Sequence, residues 1–158
     1  MTIRRYRDGD ETQVIELARE LQAYESPMYR WGKPPEDIGP WYLEEHKKWC
    51  AKNEGVILVA ERAKVLLGYA TILTKCEADG SSDEIAYTYA HVAELVVTES
   101  ARRQGIGEAL LTVCEKEARS KGRKIFRIGV LARNTGAIAA YYDFEFAPYH
   151  QTLEKILE

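Results

Sequence analysis

The sequence has few cysteines, no long apolar run and no recognisable secretion signal. Its three cysteines, Cys50, Cys76 and Cys114, are far apart and form no CxxC pair, which argues against a disulfide framework and a zinc site. No apolar run approaches the roughly 18 residues that a membrane span needs. The basic start MTIRRYRDGDE has no apolar segment behind it, unlike a secretory signal. We therefore expect a cytoplasmic protein that binds neither a metal ion nor a membrane.

The chain also lacks internal repeats, low-complexity tracts and a recognisable linker. Its 158 residues, 46% of them hydrophobic, suffice for one core, so we expect a single domain over residues 1–158. The net charge of −3 gives no general attraction to nucleic acid. The charge is segregated, because residues 77–99 carry six acids and no lysine or arginine, whereas residues 102–127 carry eight basic and three acidic side chains. The first segment suits a cation and the second an anion.

Hydrophobic spacing predicts alternating helices and strands along the whole chain. Helices are predicted from Asp10 to about Tyr24, from Pro40 to a C-cap at Gly55, over 106–120 and over 135–143. Strands are predicted over 2–6, 56–60, 66–73, 87–97, 125–131 and 151–157. This order combines antiparallel hairpins with one β-α-β unit. It predicts an α+β domain with a mixed, mostly antiparallel central sheet and helices on its faces.

The most informative segment joins the fourth predicted strand to the third predicted helix. Its sequence AELVVTESARRQGIG runs from Ala93 to Gly107, so that a buried strand leads through a two-glycine turn into an amphipathic helix. Such a turn exposes the unpaired N–H groups of a helix N-terminus, which attract a phosphate or pyrophosphate. Glycines keep Cβ atoms away from the ligand, and Arg102 and Arg103 supply positive charge. Walker A and dinucleotide-binding motifs are excluded, since their defining residues are absent.

The segment from Arg102 to Gly107 resembles the Gln/Arg-x-x-Gly-x-Gly/Ala signature of the GNAT superfamily of acetyl-CoA-dependent N-acetyltransferases, at all three defined positions. Four downstream residues match that family's second motif and its closing aromatic position: Asn134, Ala137, Tyr141 and Phe146. Ala140 and Glu145 depart from the Leu and Gly that are usual there. The resemblance covers nearly the whole chain and implies the family's fold, with helices on both faces of the sheet.

The resemblance also implies an acetyl-CoA site in a V-shaped opening between the fourth and fifth strands. Backbone N–H groups of residues 103–108 would hold the pyrophosphate, and main-chain groups of Leu95 and Val97 would pair with the pantetheine arm. Asn134 would contact that arm from the other side, and a backbone N–H near Val96, at a bulge, would polarise the thioester carbonyl. The implied cofactor-binding residues are Leu95, Val96, Val97, Arg102, Arg103, Gln104, Gly105, Ile106, Gly107, Glu108, Asn134, Ala137 and Tyr141.

Direct attack by an amine needs a base for the amine and an acid for the thiolate that leaves. We assign the base to Glu94, the strand position from which members of the family often use a carboxylate. The alternative base is His91, whose ordinary pKa suits the task. Ideal strand alternation places His91 and Glu94 on opposite faces, unless a bulge lies between them. The acid is assigned to Tyr141, which matches the family's position.

The resemblance therefore implies an acetyl-CoA-dependent N-acetyltransferase and makes a homodimer a reasonable expectation. The alternative is an acyl-CoA-binding module with a regulatory or interaction role and no transferase activity. The acceptor stays open among polyamines, other small amines, amino acids and protein amines. The acidic stretch from Glu77 to Glu84 would favour cationic amines if it overhung the acceptor site.

Overall fold

The computed structural model describes residues 1–81 and 83–157. Within those ranges, five strands form one sheet: β1 (Thr2–Arg5), β2 (Val56–Arg62), β3 (Val65–Ala78), β4 (Tyr87–Val97) and β5 (Phe126–Ile128). The α-helices are α1 (Glu11–Glu25), α2 (Pro40–Lys52), α3 (Ile106–Ser120) and α4 (Thr135–Asp143). The strands lie in the order β1-β2-β3-β4-β5, antiparallel except for the parallel pair β4-β5. The predicted α+β fold with a mixed, mostly antiparallel sheet is confirmed.

Helices cover both faces of the sheet because its inner strands are apolar on both sides. In β2, Leu58 and Ala60 pack in a cluster with α3, whereas Ile57 and Val59 pack in a cluster with α1 and α2. Four consecutive residues of β2 are buried because alternate side chains point into the cores on the two faces of the sheet. The sheet separates a face covered by α3 from a face covered by α1 and α2.

A bulge in β4 changes which side chains face which core. Thr71 of β3 pairs with Glu94, but the next residue, Ile72, pairs with Val92, so Ala93 has no partner in β3. An extra residue in one strand reverses the inward and outward alternation beyond it. Before the bulge, Val92 packs on the α3 side.

Beyond the bulge the alternation is opposite to that before it. Val96 packs on the face of α1 and α2, whereas Leu95 and Val97 pack on the α3 side. Glu94, two residues before Val96, therefore faces α1 and α2. His91, next to Val92, faces the same way, so the bulge brings both candidate bases to one face.

The short fifth strand leaves part of β4 unpaired. β5 contacts β4 only from Ala90 to Val92 and ends at Ile128, earlier than the predicted residue 131. Among the described residues, β4 therefore has no strand partner on this side from the bulge onward, and this free edge lies where the V-shaped opening is expected. The Thr98 N–H donates to the carbonyl of Leu67 in β3 at 2.9 Å.

Alternation along an antiparallel ladder then sets the direction of every other backbone group. The main-chain groups of Val96 point toward β3, like those of Thr98. The main-chain groups of Leu95 and Val97 point into the opening, as the resemblance implies. The backbone N–H aimed at the opening next to the bulge is therefore that of Leu95, the residue before Val96.

The predicted last strand, over 151–157, is wrong. Residues 144–157 form neither helix nor strand, and the side chains of Leu153 and Leu157 are each 86% exposed. A strand there would need a neighbour, and β5 has only three residues to offer. The segment is held instead by Tyr149, whose ring lies 4.1 Å from the Arg127 guanidinium. None of the helices in residues 1–81 and 83–157 is both long and apolar enough to cross a membrane.

Candidate active site

The turn between β4 and α3 presents unpaired backbone donors to open space. Gly105 has the left-handed φ of 76° and precedes the first helical residue, Ile106. The first backbone bond that closes the helix runs from the Ala109 N–H to the Gly105 carbonyl, at 3.0 Å. The N–H groups of residues 106–108 consequently have no carbonyl four residues earlier in the helix, as at any helix N-terminus.

Neither the backbone conformation nor the packing within the protein requires glycine at the second glycine of the turn. Gly107 lies at the second position of α3, without a positive φ, and a Cβ there would meet only Val97 Cγ2, at 3.7 Å. A glycine in a helix costs about 1 kcal/mol relative to alanine. Its missing side chain leaves a cradle beside the helix N-terminus, next to the free edge of β4. This cradle fits the pyrophosphate of a coenzyme A thioester.

Basic side chains border the cradle. The Arg102 guanidinium donates from Nε to the carbonyl of Val97 at 3.2 Å and lies 4.8 Å from the ring of Tyr24. Because the Val97 carbonyl points into the opening, Arg102 now occupies one acceptor that the resemblance gives to the pantetheine arm. Gln104 lies close to Arg62, with 3.3 Å between its Oε1 and the guanidinium.

Asn134 connects the two sides of the opening. Its Oδ1 accepts from the Ala137 N–H at 3.2 Å and caps α4, while its Nδ2 donates to Glu25 Oε1 at 3.3 Å. Both ends of the amide are thus engaged by the protein itself. The cofactor contacts expected of Asn134 and Ala137 stay predictions.

Tyr141 has the properties of a proton donor. It lies on α4, half-buried, with its ring centroid 6.0 Å from that of Phe146. Burial, together with the charge of Glu25, raises the pKa of Tyr141 to about 12. Its hydroxyl makes no hydrogen bond to any other described residue. The phenol therefore stays protonated at neutral pH and has a proton to give.

Glu94 is held by two tyrosines in a nearly dry site. The Tyr42 hydroxyl donates to Oε2 and the Tyr69 hydroxyl to Oε1. The Glu94 side chain is only 10% exposed. Burial raises the pKa of Glu94 to about 7, against the two hydroxyl donors, which lower it. A carboxyl with a pKa near neutrality is suited to act as a general base.

His46 lies beside Glu94 without neutralising it. The ring is 2% exposed, its Nδ1 is 2.8 Å from Thr71 Oγ1, and its Nε2 is 3.8 Å from Glu94 Oε1 with no hydrogen bond. Burial lowers the pKa of His46 to about 4, so the ring is neutral at pH 7. Within the described residues, no lysine or arginine forms an ion pair with Glu94.

His91, the alternative base, shares the face of Glu94 but has different surroundings. It is half-buried, and burial together with the positive charge of Arg127 lowers its pKa. The guanidinium of Arg127 is surrounded by the rings of Tyr87, Tyr89 and Tyr149. Nothing that the structure describes connects His91 to Glu94, so the two remain alternatives.

Glu25 is a site residue that the sequence analysis missed. It accepts a hydrogen bond from Asn134, and burial raises its pKa. The contact with Asn134 places Glu25 beside the start of α4, and its charge also raises the pKa of Glu94 and of Tyr141. It has no cationic partner among residues 1–81 and 83–157.

A sequence signal for Glu25 existed. The apolar residues Val14, Ala18 and Leu21 define one face of α1, and Glu25 follows Leu21 by four positions on that face. A carboxylate at the end of an apolar face points toward the protein. The same signal applies to His46, which lies on the buried face of α2.

Comparisons with known proteins agree with this geometry. The model of the acetyltransferase (GNAT) family matches residues 15–146. A search of curated proteins finds no significant match. Among solved structures, a mutant of the BH1408 protein from Bacillus halodurans is similar over 100% of both chains, with a TM-score of 0.84 and 18% identity.

Two further structures are acetyltransferases. An aminoglycoside 6′-N-acetyltransferase from Acinetobacter haemolyticus has a TM-score of 0.72 at 14% identity, over 100% of this chain and 99% of that chain. A second such enzyme, in complex with the bisubstrate analogue CoA-S-monomethyl-acetylneamine, has a TM-score of 0.73 at 14% identity, over 99% of this chain and 97% of that chain. At these identities the likeness establishes the fold. The family model covers most of the chain and includes the two-glycine turn, Glu94 and Tyr141, and this chain belongs to the GNAT family of acetyltransferases.

Proposed function

We propose that this protein transfers an acetyl group from acetyl-CoA to a primary amine of a small molecule or peptide, by direct attack within a ternary complex. One observation carries the proposal: a buried carboxylate with a pKa near 7, Glu94, lies one residue before Leu95, where the open edge of β4 leads to an anion cradle. Glu94 faces α1 and α2, whereas the cradle lies at the N-terminus of α3. This arrangement suits acyl transfer in which the amine and acetyl-CoA approach β4 from opposite sides.

Acetyl-CoA would be held by backbone more than by side chains. The N–H groups of residues 103–108, with the charges of Arg102 and Arg103, would hold the pyrophosphate. The outward main-chain groups of Leu95 and Val97 would pair with the pantetheine arm, and α4 would close the other side. When bound, acetyl-CoA supplies a thioester whose carbonyl carbon is open to attack by an amine. The Leu95 N–H, aimed into the opening, would stabilise the negative charge that develops on the carbonyl oxygen.

Glu94 and Tyr141 would divide the proton transfers between them. Glu94 takes the proton that the amine loses, because an ionised fraction of this carboxyl exists at neutral pH. Tyr141 gives its proton to the leaving thiolate, because the raised pKa keeps the phenol protonated. The charge of Glu25 lies near both groups.

The acceptor is proposed to be a cationic amine held by Glu25. This carboxylate is half-buried, lies near Glu94 and lacks a cation among the described residues, so a substrate ammonium would complete it. The acidic hairpin end is less suited to this role. It begins where Ala78 pairs with Tyr87, seven residue steps along the ladder from the pair of Thr71 and Glu94. At the usual strand rise this is roughly 23 Å.

Thiol release from acetyl-CoA in the presence of a panel of amines tests the proposal. Wild-type protein should release thiol with at least one cationic amine, and Tyr141→Phe should slow the release without weakening acetyl-CoA binding in calorimetry. Binding of acetyl-CoA without thiol release on any amine would favour the alternative, an acyl-CoA-binding module.

A homodimer in the cytoplasm is proposed as the working form. The outer edge of β5 is unpaired within the described residues, and Leu153 and Leu157 in the C-terminal segment are exposed; both features suit a contact between two copies. All three cysteines are free, which is compatible with a reducing compartment. Sedimentation of the wild-type protein should give twice the mass of the chain, and a single-chain mass would remove the dimer.

A further inference from the structure

The carboxylate of Glu94 is out of reach of an amine that arrives from solvent. One of its oxygens accepts from Tyr42 and the other from Tyr69. The side chain is 10% exposed, and the ring of His46 packs beside it, with Nε2 3.8 Å from Oε1. A proton that reaches Glu94 therefore has to come through one of the two hydroxyl groups, or the site has to open.

The two tyrosines that donate to Glu94 differ in how deeply they are buried. Tyr69 is 1% exposed, since it lies in the middle of β3 beneath α1 and α2. Tyr42 lies on α2 and is only half-buried, with its ring 5.6 Å from the exposed ring of Trp41. Burial and the charge of Glu94 raise the pKa of Tyr42, and the charge of Glu25 adds to this effect. Tyr42 is thus the less buried of the two donors to Glu94, and a path from an incoming amine to the carboxylate would pass through it.

We propose that the Tyr42 hydroxyl relays the proton of the acceptor amine to Glu94. The Tyr42 oxygen accepts a proton from the amine nitrogen while its own proton moves to Glu94 Oε2. One N–H bond and one phenol O–H bond break, and a new phenol O–H bond and a carboxyl O–H bond form. Tyr42 ends with the proton count and charge with which it began, and Glu94 gains one proton. This inference rests on the proposed function, since it takes Glu94 as the base.

The side chains that face Glu94 are compatible with a relay through Tyr42, and none of them is suited to replace Glu94 as the base. Tyr42 and His46 face it from α2, Tyr69 from β3 and Glu25 from the end of α1. Burial and the adjacent carboxylate raise the pKa of Tyr42 well above its ordinary value, so Tyr42 passes a proton on without staying ionised. His46 makes no hydrogen bond through the nitrogen that faces Glu94.

Tyr42→Phe and Tyr69→Phe form a matched pair that tests the relay. Each removes one donor that favours the charged form of Glu94, so each should move the midpoint of the kcat–pH profile to higher pH. The high-pH plateau of kcat should fall at least about tenfold further in Tyr42→Phe, because a relay contributes like other acid–base groups. Plots of kcat against the deuterium fraction of the solvent should be curved for wild type and Tyr69→Phe, and straight for Tyr42→Phe, in which one proton in flight is lost.

Equal plateaus and equal solvent isotope curves for the two variants would overturn the relay. Calorimetry with acetyl-CoA checks that both variants are folded. If Tyr42→Phe binds no acetyl-CoA, a variant with fluorotyrosine at position 42 is used in its place. An unchanged kcat with this more acidic phenol would also overturn the relay. Glu94→Gln distinguishes a failure of the proposed base from a failure of the relay alone. If that variant keeps the wild-type rate, the proposed base fails; if it is slow while Tyr42→Phe matches Tyr69→Phe, only the relay fails.

Discussion

The state of one carboxyl, Glu94, decides the chemistry that this site supports. Burial favours its neutral form, whereas the hydroxyls of Tyr42 and Tyr69 favour its charged form, and burial prevails. Near neutral pH, both the charged and the neutral form of this carboxyl are therefore populated. His46 is neutral at pH 7 and therefore does not compensate that charge.

Loss of this carboxyl should affect turnover far more than cofactor binding. Glu94→Gln is expected to lower kcat by roughly 10²–10⁴-fold, the range typical of acid–base groups. In wild type, kcat should rise with pH through about 7, since the protonated form below that pH cannot accept a proton. Steady-state rates across pH measure both effects, with acetyl-CoA affinity by calorimetry as the control. A wild-type rate in the variant would reassign the base.

The same carboxyl should make the folded state sensitive to pH. Its pKa is about 7 in the folded protein and 4.5 in an ordinary glutamate, so the folded state binds more protons between these values. Stability from this group is therefore full below about 4.5 and declines as the pH rises to about 7. The total is at most roughly 3 kcal/mol.

Glu94→Gln removes this titration. Denaturant unfolding at several pH values should give a flatter free energy of unfolding for the variant between pH 4.5 and 7. Tyr141→Phe is a suitable comparison, since the Tyr141 phenol does not titrate in this window. Parallel curves for wild type and Glu94→Gln would show that the buried carboxyl is not held at a raised pKa.

Among the secondary-structure elements, the N-terminus of α3 is the proposed cradle for the cofactor. Gly107→Ala should fold at least as well as wild type, because its Cβ meets only Val97 Cγ2 and alanine favours the helix. Its acetyl-CoA affinity should nevertheless fall, and that of Gly107→Glu should fall further, because a carboxylate would face phosphate oxygens. Calorimetry measures the affinities and thermal unfolding the stabilities.

Gly9→Ala is the matched control, since Gly9 also has open space around it and no positive φ, but lies near the start of the chain. Its acetyl-CoA affinity should equal that of wild type. An unchanged affinity in a folded Gly107→Glu protein would refute the assignment of the cradle.

Elements with a full apolar face were predictable from the sequence, and those that depend on a neighbour were not. The face of α3 that carries Leu110, Leu111 and Cys114 reads directly from the periodicity, and so do β2 and β4. The bulge at Ala93 leaves no such trace, because it is set by the pairing of β4 with β3. The strand predicted over 151–157 failed because β5 ends after three residues.

The site was predictable only in part. The turn from Arg102 to Gly107 could be assigned because it is local in sequence, and Glu94 because the resemblance placed it. Its partners Tyr42 and Tyr69 come from α2 and β3, which no spacing rule connects to β4. Their convergence is a product of the tertiary packing.

At the scale of the whole molecule, two acidic features compete to explain acceptor choice. Glu25→Gln should raise the KM for a cationic amine at both low and moderate salt, since a half-buried carboxylate in contact is screened weakly. Neutralising Asp79, Asp83 and Glu84 together should have little effect at moderate salt, because the end of the hairpin lies roughly 23 Å from Glu94, beyond the screening length of about 10 Å.

Steady-state kinetics at two ionic strengths distinguish these variants. The KM of the hairpin variant for acetyl-CoA serves as its control, because the hairpin lies away from the cradle. For Glu25→Gln the control is the KM for a neutral amine, since Glu25 also accepts a hydrogen bond from Asn134. A larger effect from the hairpin variant than from Glu25→Gln, persisting at moderate salt, would transfer substrate selection to the acidic hairpin.

Mass spectrometry of the products shows whether this protein acetylates amines. Wild-type protein, acetyl-CoA and a mixture of cationic, neutral and anionic primary amines are incubated together, beside matched reactions with Glu94→Gln and Gly107→Glu. The account predicts that a cationic amine gains one acetyl group with wild type, and gains far less with either variant. If wild-type protein binds acetyl-CoA and no amine in the mixture gains an acetyl group, the assignment of this chain as an N-acetyltransferase of amines is contradicted.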